Sequence, residues 1–325
     1  MKSNLKSWLV LTRCSNLPTV WSNVISGWLL GLATIINCPT VVLPVALSTA
    51  LFILLLGVSL LYVGGMILND VFDYDWDRAH RPERPLPSGF ISRTKAKWAG
   101  TIILLAGAAL SIFSGGRFFN PILFLIIALL VIFILWYDLA HKGNSFAPVI
   151  MGGCRALLPI AGFAVATADG TNGTPPPTTL YVYALVLGIY TYALTWVAKS
   201  EVTPHRSSPW IEWVLFLIPL TLIIYGGYTY WGLGAVITYN IWISFSNYRH
   251  PVPAGISARV ADRIAAFSLL DAIVSGAVLL MIARWVTALT GADQDSVKEV
   301  AALATFAPLL CFGMTLWLRK FIPAT

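Results

Sequence analysis

Residues 69–89 read NDVFDYDWDRAHRPERPLPSG and follow directly on an almost wholly apolar stretch. About 20 apolar residues suffice to cross a bilayer. Inside one, every backbone N–H and C=O must find its partner within the protein, which makes a helix the natural form of such a stretch. The run therefore ends with four oxygen-bearing side chains, Asn69, Asp70, Asp73 and Asp77, where a membrane helix meets water. Acids there are costly unless they are used. Their simplest use is to hold a hard divalent cation, and Mg²⁺ prefers a few carboxylates together with substrate phosphates.

The spacing supports that use. At about 100° per residue, with Asn69 at 0°, Asp73 falls near 40°, Asp77 near 80° and Asp70 near 100°, within roughly one quadrant. Asp75 falls near 240° and is left out of the site. Three carboxylates on one face repel one another, and a cation would relieve that repulsion. The plainer alternative is a solvated acidic helix end.

The rest of the chain fits a polytopic membrane protein. It is 58% hydrophobic and 11% charged, with mean hydropathy +0.78, against about 25% charged residues in soluble domains. Apolar spans are expected at 19–37, 44–68, 96–114, 119–140, 147–167, 179–200, 211–227, 229–247, 263–286 and 299–318. That makes ten, or nine if one is re-entrant or merged; the pair at 211–247 is punctuated only by glycines and Tyr228. With a cytoplasmic N-terminus nearly all Lys and Arg fall on the cytoplasmic side, and the other side keeps only Arg117, Arg284 and Lys298. This bias favours an even number of spans. It also accounts for the net charge of +7 without a nucleic-acid surface.

Cys14, Cys38, Cys154 and Cys311 have no metal spacing and read as packing residues. The four histidines are too scattered for a metal site. Trp8 to Leu11 is too short for the apolar core of a cleavable signal; residues 1–18 read instead as an interfacial amphipathic helix anchored by Trp8. The whole of 1–325 is expected to be one domain.

After Asp77, Arg78, Arg81 and Arg84 recur every third residue, Pro82, Pro85 and Pro87 stiffen the backbone, and Ser88-Gly89 offers a turn. A carboxylate face followed at once by rigidly held guanidiniums suits a diphosphate, with the metal bridging phosphate oxygens and arginines taking the rest bidentately. For Arg93, Lys95 and Lys97, contact with lipid headgroups is the simpler role.

NDVFDYDWD fits an NDxxDxxxD signature and RPERPLPSG extends it. Together they resemble the UbiA superfamily of intramembrane prenyltransferases. The spacing of spans is similar over about 1–290, and TRCSNLPTVWSNVISGWLLG resembles the family's first segment. The resemblance implies an all-α bundle of nine to ten transmembrane helices around a central cavity that opens to the cytoplasmic side, with the last span, about 299–318, as an addition. It implies Mg²⁺ as cofactor and an isoprenyl diphosphate and a small acceptor as partners, within a bacterial inner membrane or an organelle membrane. By position, Asn69, Asp70, Asp73 and Asp77 match the first metal motif, and Arg81 and Arg84 the loop after it. Lys142 in YDLAHKG resembles a basic position that meets the diphosphate. Arg13 and Asn16 resemble a polar pair facing the acceptor. Arg155, inside a span in GGCRALLPIAG, is either functional or a structural hydrogen-bonding group.

The second motif departs from the family. Where an Asp-rich element is usual, this chain has YTYALTWVAKSEV. Thr191, Thr195 and Lys199 recur every four residues, so Thr195 and Lys199 share a face. Three readings stay open. Lys199 contacts the diphosphate in place of one Mg²⁺, Glu201 holds a second ion, or catalysis has been lost. Asp73, Lys199 and Arg155 are then the expected catalytic residues, with Thr195 beside the acceptor. Asp271, in a later span, is either a base reaching the cavity or a hydrogen-bonded acid between helices. The weakened second motif, the CRALLP element and the extra span resemble a divergent, EboC-like subgroup, for which a polar cyclitol-like acceptor is expected beside an aromatic one. A UbiA-type terpene cyclase and a non-catalytic isoprenoid- or lipid-binding membrane protein are the alternatives.

Overall fold

Nine of the ten expected apolar stretches each overlap one helix, and the stretch 263–286 overlaps two. The computed structural model describes residues 2–35, 49–115, 119–140, 144–168, 175–199, 209–226, 230–251, 255–286 and 294–323. Among them there is no strand. The helices are α1 (Lys2–Thr12), α2 (Leu17–Ile35), α3 (Thr49–Phe72), α4 (Tyr74–His80), α5 (Arg93–Phe113), α6 (Pro121–Ala140) and α7 (Ala147–Ala166). They continue with α8 (Thr178–Lys199), α9 (Pro209–Gly226), α10 (Tyr230–Arg249), α11 (Ile256–Ala265), α12 (Phe267–Val286) and α13 (Gln294–Leu318). A short 3₁₀ turn, Cys14–Asn16, joins α1 to α2.

Among the described residues, five helices are long and apolar enough to cross a bilayer: α3, α5, α6, α7 and most of α8. Shorter apolar helices run over Trp210–Ile224 and Thr305–Leu318. Large apolar side chains such as Trp98, Ile102, Leu105, Phe124 and Ile132 point outward from α5 and α6. In water such a surface would be a liability; in a lipid bilayer it is the expected exterior. The protein is an integral membrane protein.

Helix α2 is buried on nearly every side and packs on α7, α12, α13 and α3. Small residues let the backbones close in, as membrane helices require when lipid supplies no hydrophobic drive between them. A Cβ on Gly27 would lie 2.0 Å from the Pro159 carbonyl oxygen, and one on Gly162 2.1 Å from that of Val24. The α3–α5 pair is built the same way, with Gly57 and Gly64 of α3 set against Ser111 and Leu104 of α5.

One local reading changes. The stretch expected as one span over 263–286 is broken at Ala266 into α11 and α12, so Asp262 and Arg263 belong to a separate short helix. Trp8 is half-buried and packs on one side against the cluster of Leu11, Ile67 and Val71.

Candidate active site

The acid face survives a helix junction. Helix α3 stops at Phe72 and α4 starts at Tyr74, yet Asp73 N–H donates to Asn69 O (2.9 Å) and Asp77 N–H to Asp73 O (2.8 Å), so helical pitch is kept across the break. Asn69, Asp70, Asp73 and Asp77 are all buried, at 7%, 5%, 9% and 1% exposure, while Asp75 is turned out to solvent. The periodicity argument therefore separates the same residues as the structure does.

Arginines cover this face. Arg84 Nη1 donates to Asp77 Oδ2 at 2.8 Å and lies 3.6 Å from Asp70 Oδ1. The proline-stiffened loop brings it back: Arg84 N–H donates to Arg81 O and Ser88 N–H to Arg84 O, and the turn closes at Gly89 with φ +79°, a value that favours glycine. From the other side Arg13 Nη2 donates to Asp70 Oδ1 at 3.1 Å and Nη1 approaches Met66 Sδ. Arg13 itself holds a left-handed backbone at φ 45°, rare for a residue with a side chain and often found at functional positions. Burial works to lower the Arg13 pKa; Asp70, with Tyr62, Tyr137 and Asp77, more than reverses it, so the guanidinium stays charged.

Beside the pairs lies a cavity of about 360 Å³. Its walls are mostly apolar, with Val20, Val58, Leu61, Leu130, Ile134 and Phe267 among them, and they carry four guanidiniums, Arg13, Arg81, Arg84 and Arg155. Asn16, Thr191 and Thr195 also line it. Asp70, Asp73 and Asp77 are not among the lining residues, whereas Arg13 and Arg84, the arginines paired with Asp70 and Asp77, are.

Arg155 is fixed from behind. Its Nη1 donates to Thr19 O and Asn23 Oδ1, its Nη2 to Thr19 Oγ1, and its guanidinium lies 4.1 Å from the Phe267 ring centre. Asn23 Nδ2 in turn donates to both oxygens of Asp271, at 2.9 and 3.0 Å, and Tyr183 Oη donates to Asp271 Oδ1. Asp271 is fully buried and does not line the cavity. It is the acid that orders Arg155 through Asn23.

The donors suit a hard cation. All are oxygens, and Asp77 Oδ1 is buried without a hydrogen-bond partner among the described residues. No three acids, histidines or cysteines among the described residues converge as a ready-made cage. Mg²⁺ does not need one, since one or two carboxylates plus substrate phosphates suffice. Lys142 and Glu201 lie outside the described residues, as does the side chain of Lys199, whose backbone ends α8. Sequence reasoning passed over Asp138 of α6, which is 4% exposed, lines the cavity and accepts from Asn69 Nδ2 at 3.2 Å. The signal for it was an acid within an apolar span, in the same YDLAHKG segment read only for its lysine.

Comparison with known proteins gives a consistent set of matches. The model of the UbiA prenyltransferase family matches residues 19–202. Digeranylgeranylglyceryl phosphate synthase from Sulfurisphaera tokodaii is 36% identical over 105 residues, 31% of this chain and 34% of that protein. The synthase of the same name from Thermococcus gammatolerans is 45% identical over 62 residues, 19% of this chain and 22% of that one. The matched segments thus span about a third or less of these curated relatives. Among solved structures, a UbiA homolog from Aeropyrum pernix K1 superposes with a TM-score of 0.58 at 15% identity, over 79% of this chain and 96% of that one. A UbiA homolog from Archaeoglobus fulgidus bound to GPP and Mg²⁺ gives 0.57 at 16% identity, over 86% and 99%. These structural likenesses establish a shared fold.

Proposed function

The chain belongs to the UbiA prenyltransferase family, and we propose that it is a Mg²⁺-dependent enzyme that moves a prenyl group from an allylic isoprenoid diphosphate to a small acceptor, releasing pyrophosphate. One observation carries this reading: buried Asp70 and Asp77 pair with Arg13 and Arg84, two of the four arginines on the wall of a mostly apolar cavity. Such a wall suits a ligand with a multiply charged head and a hydrocarbon body. The names of the relatives, and the GPP and Mg²⁺ of one structural neighbour, support the same class of substrate.

Asn69, Asp70, Asp73 and Asp77 would hold Mg²⁺, which supplies Lewis-acid stabilisation of the charge that builds on the leaving pyrophosphate. Arg81 and Arg84 bind the diphosphate, joined by Lys142 and Lys199, with Glu201 as a further acid. Binding exchanges partners: the guanidiniums leave their carboxylates for phosphate oxygens. The apolar walls keep water from the allylic cation. Arg13, Asn16, Thr195 and Arg155 face the acceptor, either aromatic or a polar cyclitol-like molecule. The charge bias of the loops supports a cytoplasmic N-terminus and site.

A second reading is favoured by α8, where the cavity is lined by Thr191 and Thr195 in place of acids. It makes the protein a non-catalytic isoprenoid binder. Pyrophosphate release by the purified protein, measured with allylic diphosphates of several lengths, with and without Mg²⁺ and beside Asp73→Asn, decides between them. Release that needs both Mg²⁺ and Asp73 supports the enzyme. Binding without release at any chain length, with cell extract as acceptor source, supports the binder. The product mass separates transfer from cyclisation.

A further inference from the structure

Among the described residues that line the cavity there are four guanidiniums and one carboxylate, that of Asp138. It sits near the end of α6, on a wall that Tyr137 and Cys154 also line, at 4% exposure. A buried acid facing the place where a diphosphate binds would repel it. The same acid becomes favourable if a divalent cation lies between the two, because carboxylate and phosphate oxygens then share one ion.

Asp138 is also tied to the acid face. Asn69 Nδ2 donates to Asp138 Oδ1 at 3.2 Å. An amide that gives its NH₂ to Asp138 turns its carbonyl oxygen the other way, leaving it available to a cation. Asn69 is one helical turn from Asp73, on the same face. The contact thus joins α6 to the metal face of α3 across 69 positions of sequence. On α8, by contrast, the two threonine hydroxyls are spent on their own helix: Thr191 Oγ1 donates to Leu187 O and Thr195 Oγ1 to Thr191 O.

Resting on the prenyltransferase reading, we infer that Asp138 is the second-helix carboxylate of the divalent-cation site and does from α6 what the threonines of α8 cannot. Its role is to ligate, and in ligating to orient Asn69.

The test is Mn²⁺ binding to the full-length protein in detergent, followed by electron paramagnetic resonance, with and without inorganic pyrophosphate. Asp138→Asn keeps an oxygen to accept from Asn69 but loses the charge; Asp138→Ala loses both; Asp138→Glu keeps the charge. Wild type is expected to bind Mn²⁺ more tightly when pyrophosphate is present. Asp138→Asn should weaken that binding about tenfold or more at unchanged melting temperature, with Asp138→Glu recovering part of it. Wild-type affinity in Asp138→Asn overturns the inference, even if Asp138→Ala is weak, because the residue would then only position Asn69. If Asp138→Asn fails to fold, Asp138→Glu decides: affinity above that of Asp138→Ala upholds the role, and affinity equal to it overturns it. Wild-type protein that binds neither Mn²⁺ nor pyrophosphate overturns the prenyltransferase reading itself, and Asp138 with it.

Discussion

Arg84 donates to Asp77 Oδ2 across 2.8 Å, so the loop that follows the acid-bearing helices is folded back onto them by its own guanidinium. Asp77 is almost fully buried and Arg84 largely so. Removing one partner of such a pair leaves the other charge stranded, at a cost of about 3–5 kcal/mol. Arg84→Gln should therefore lower the melting temperature markedly, and Asp77→Asn placed on top of it should restore part of the loss. A double-mutant cycle read by thermal unfolding measures the coupling, expected at about 1–3 kcal/mol. Additive effects would mean that the pair does not hold the loop.

If the arginines exchange carboxylates for phosphate oxygens, ligand and metal must act together on stability. Mg²⁺ with pyrophosphate is expected to raise the melting temperature more than the two added separately, and a chelator should reverse the gain. At a ligand concentration 100 times Kd the stabilisation is about 2.7 kcal/mol. Asp73→Asn should abolish the joint effect. An equal response of Asp73→Asn and wild type would place the metal elsewhere.

The close approaches between helices give a stability prediction that involves no ligand. Gly162 of α7 meets the Val24 backbone of α2, and Gly27 of α2 meets that of Pro159. A backbone cannot yield as a flexible side chain can. Gly162→Ala is expected to cost about 1–3 kcal/mol, as overpacking commonly does, and Gly27→Val more. Gly234→Ala, where an added Cβ meets nothing within 4 Å, serves as the neutral control. Melting temperatures of the three in detergent check the order; a neutral Gly162→Ala would show that the α2–α7 contact is looser than described.

Asp271 tests whether Arg155 is held from behind. Asp271→Leu removes the fully buried acceptor of Asn23 Nδ2 and Tyr183 Oη, and each buried group so orphaned costs about 1–3 kcal/mol. Tyr183→Phe removes one donor and leaves Asn23 in place, so it should be the milder change. Activity in Asp271→Leu should fall through acceptor KM, because Arg155 loses its orientation through Asn23. A change confined to the KM for the allylic diphosphate would instead put Arg155 at the leaving group.

What the sequence could reveal followed from locality. The acid face is a matter of helical pitch over nine residues, and the structure keeps that pitch even across the break at Asp73. The glycine turn after the prolines was legible for the same reason. Contacts made across the fold were not. Arg13 reaches Asp70 over 57 positions and Asn69 reaches Asp138 over 69, and nothing periodic links either pair. A lone acid in an apolar span states its cost but not its partner. The break at Ala266 escaped because neither glycine nor proline marks it.

The chain beyond the family match returns to the site and brings a charge with it. After α13, Pro323 O accepts from Ser15 Oγ at 3.4 Å, which seats the C-terminal end beside the turn that carries Asn16. There the three guanidinium nitrogens of Arg319 are buried without a hydrogen-bond partner among the described residues. Burial pushes the Arg319 pKa down to about 10, with Asp262 opposing the shift. An unpaired buried cation destabilises the fold, so Arg319→Met should raise the melting temperature by a few degrees at neutral pH. The sign of the pH dependence follows from where the proton leaves. The folded protein releases it near pH 10, while the unfolded chain holds it into the ordinary arginine range. Unfolding therefore takes up a proton between the two, and wild-type stability gains with rising pH in that window. Arg319→Met lacks the group, so its advantage over wild type should shrink as pH rises past 10. Unfolding curves of the two proteins at pH 7.5 and above pH 10 test both parts, and a variant less stable than wild type at pH 7.5 would show that Arg319 has a partner holding it in place.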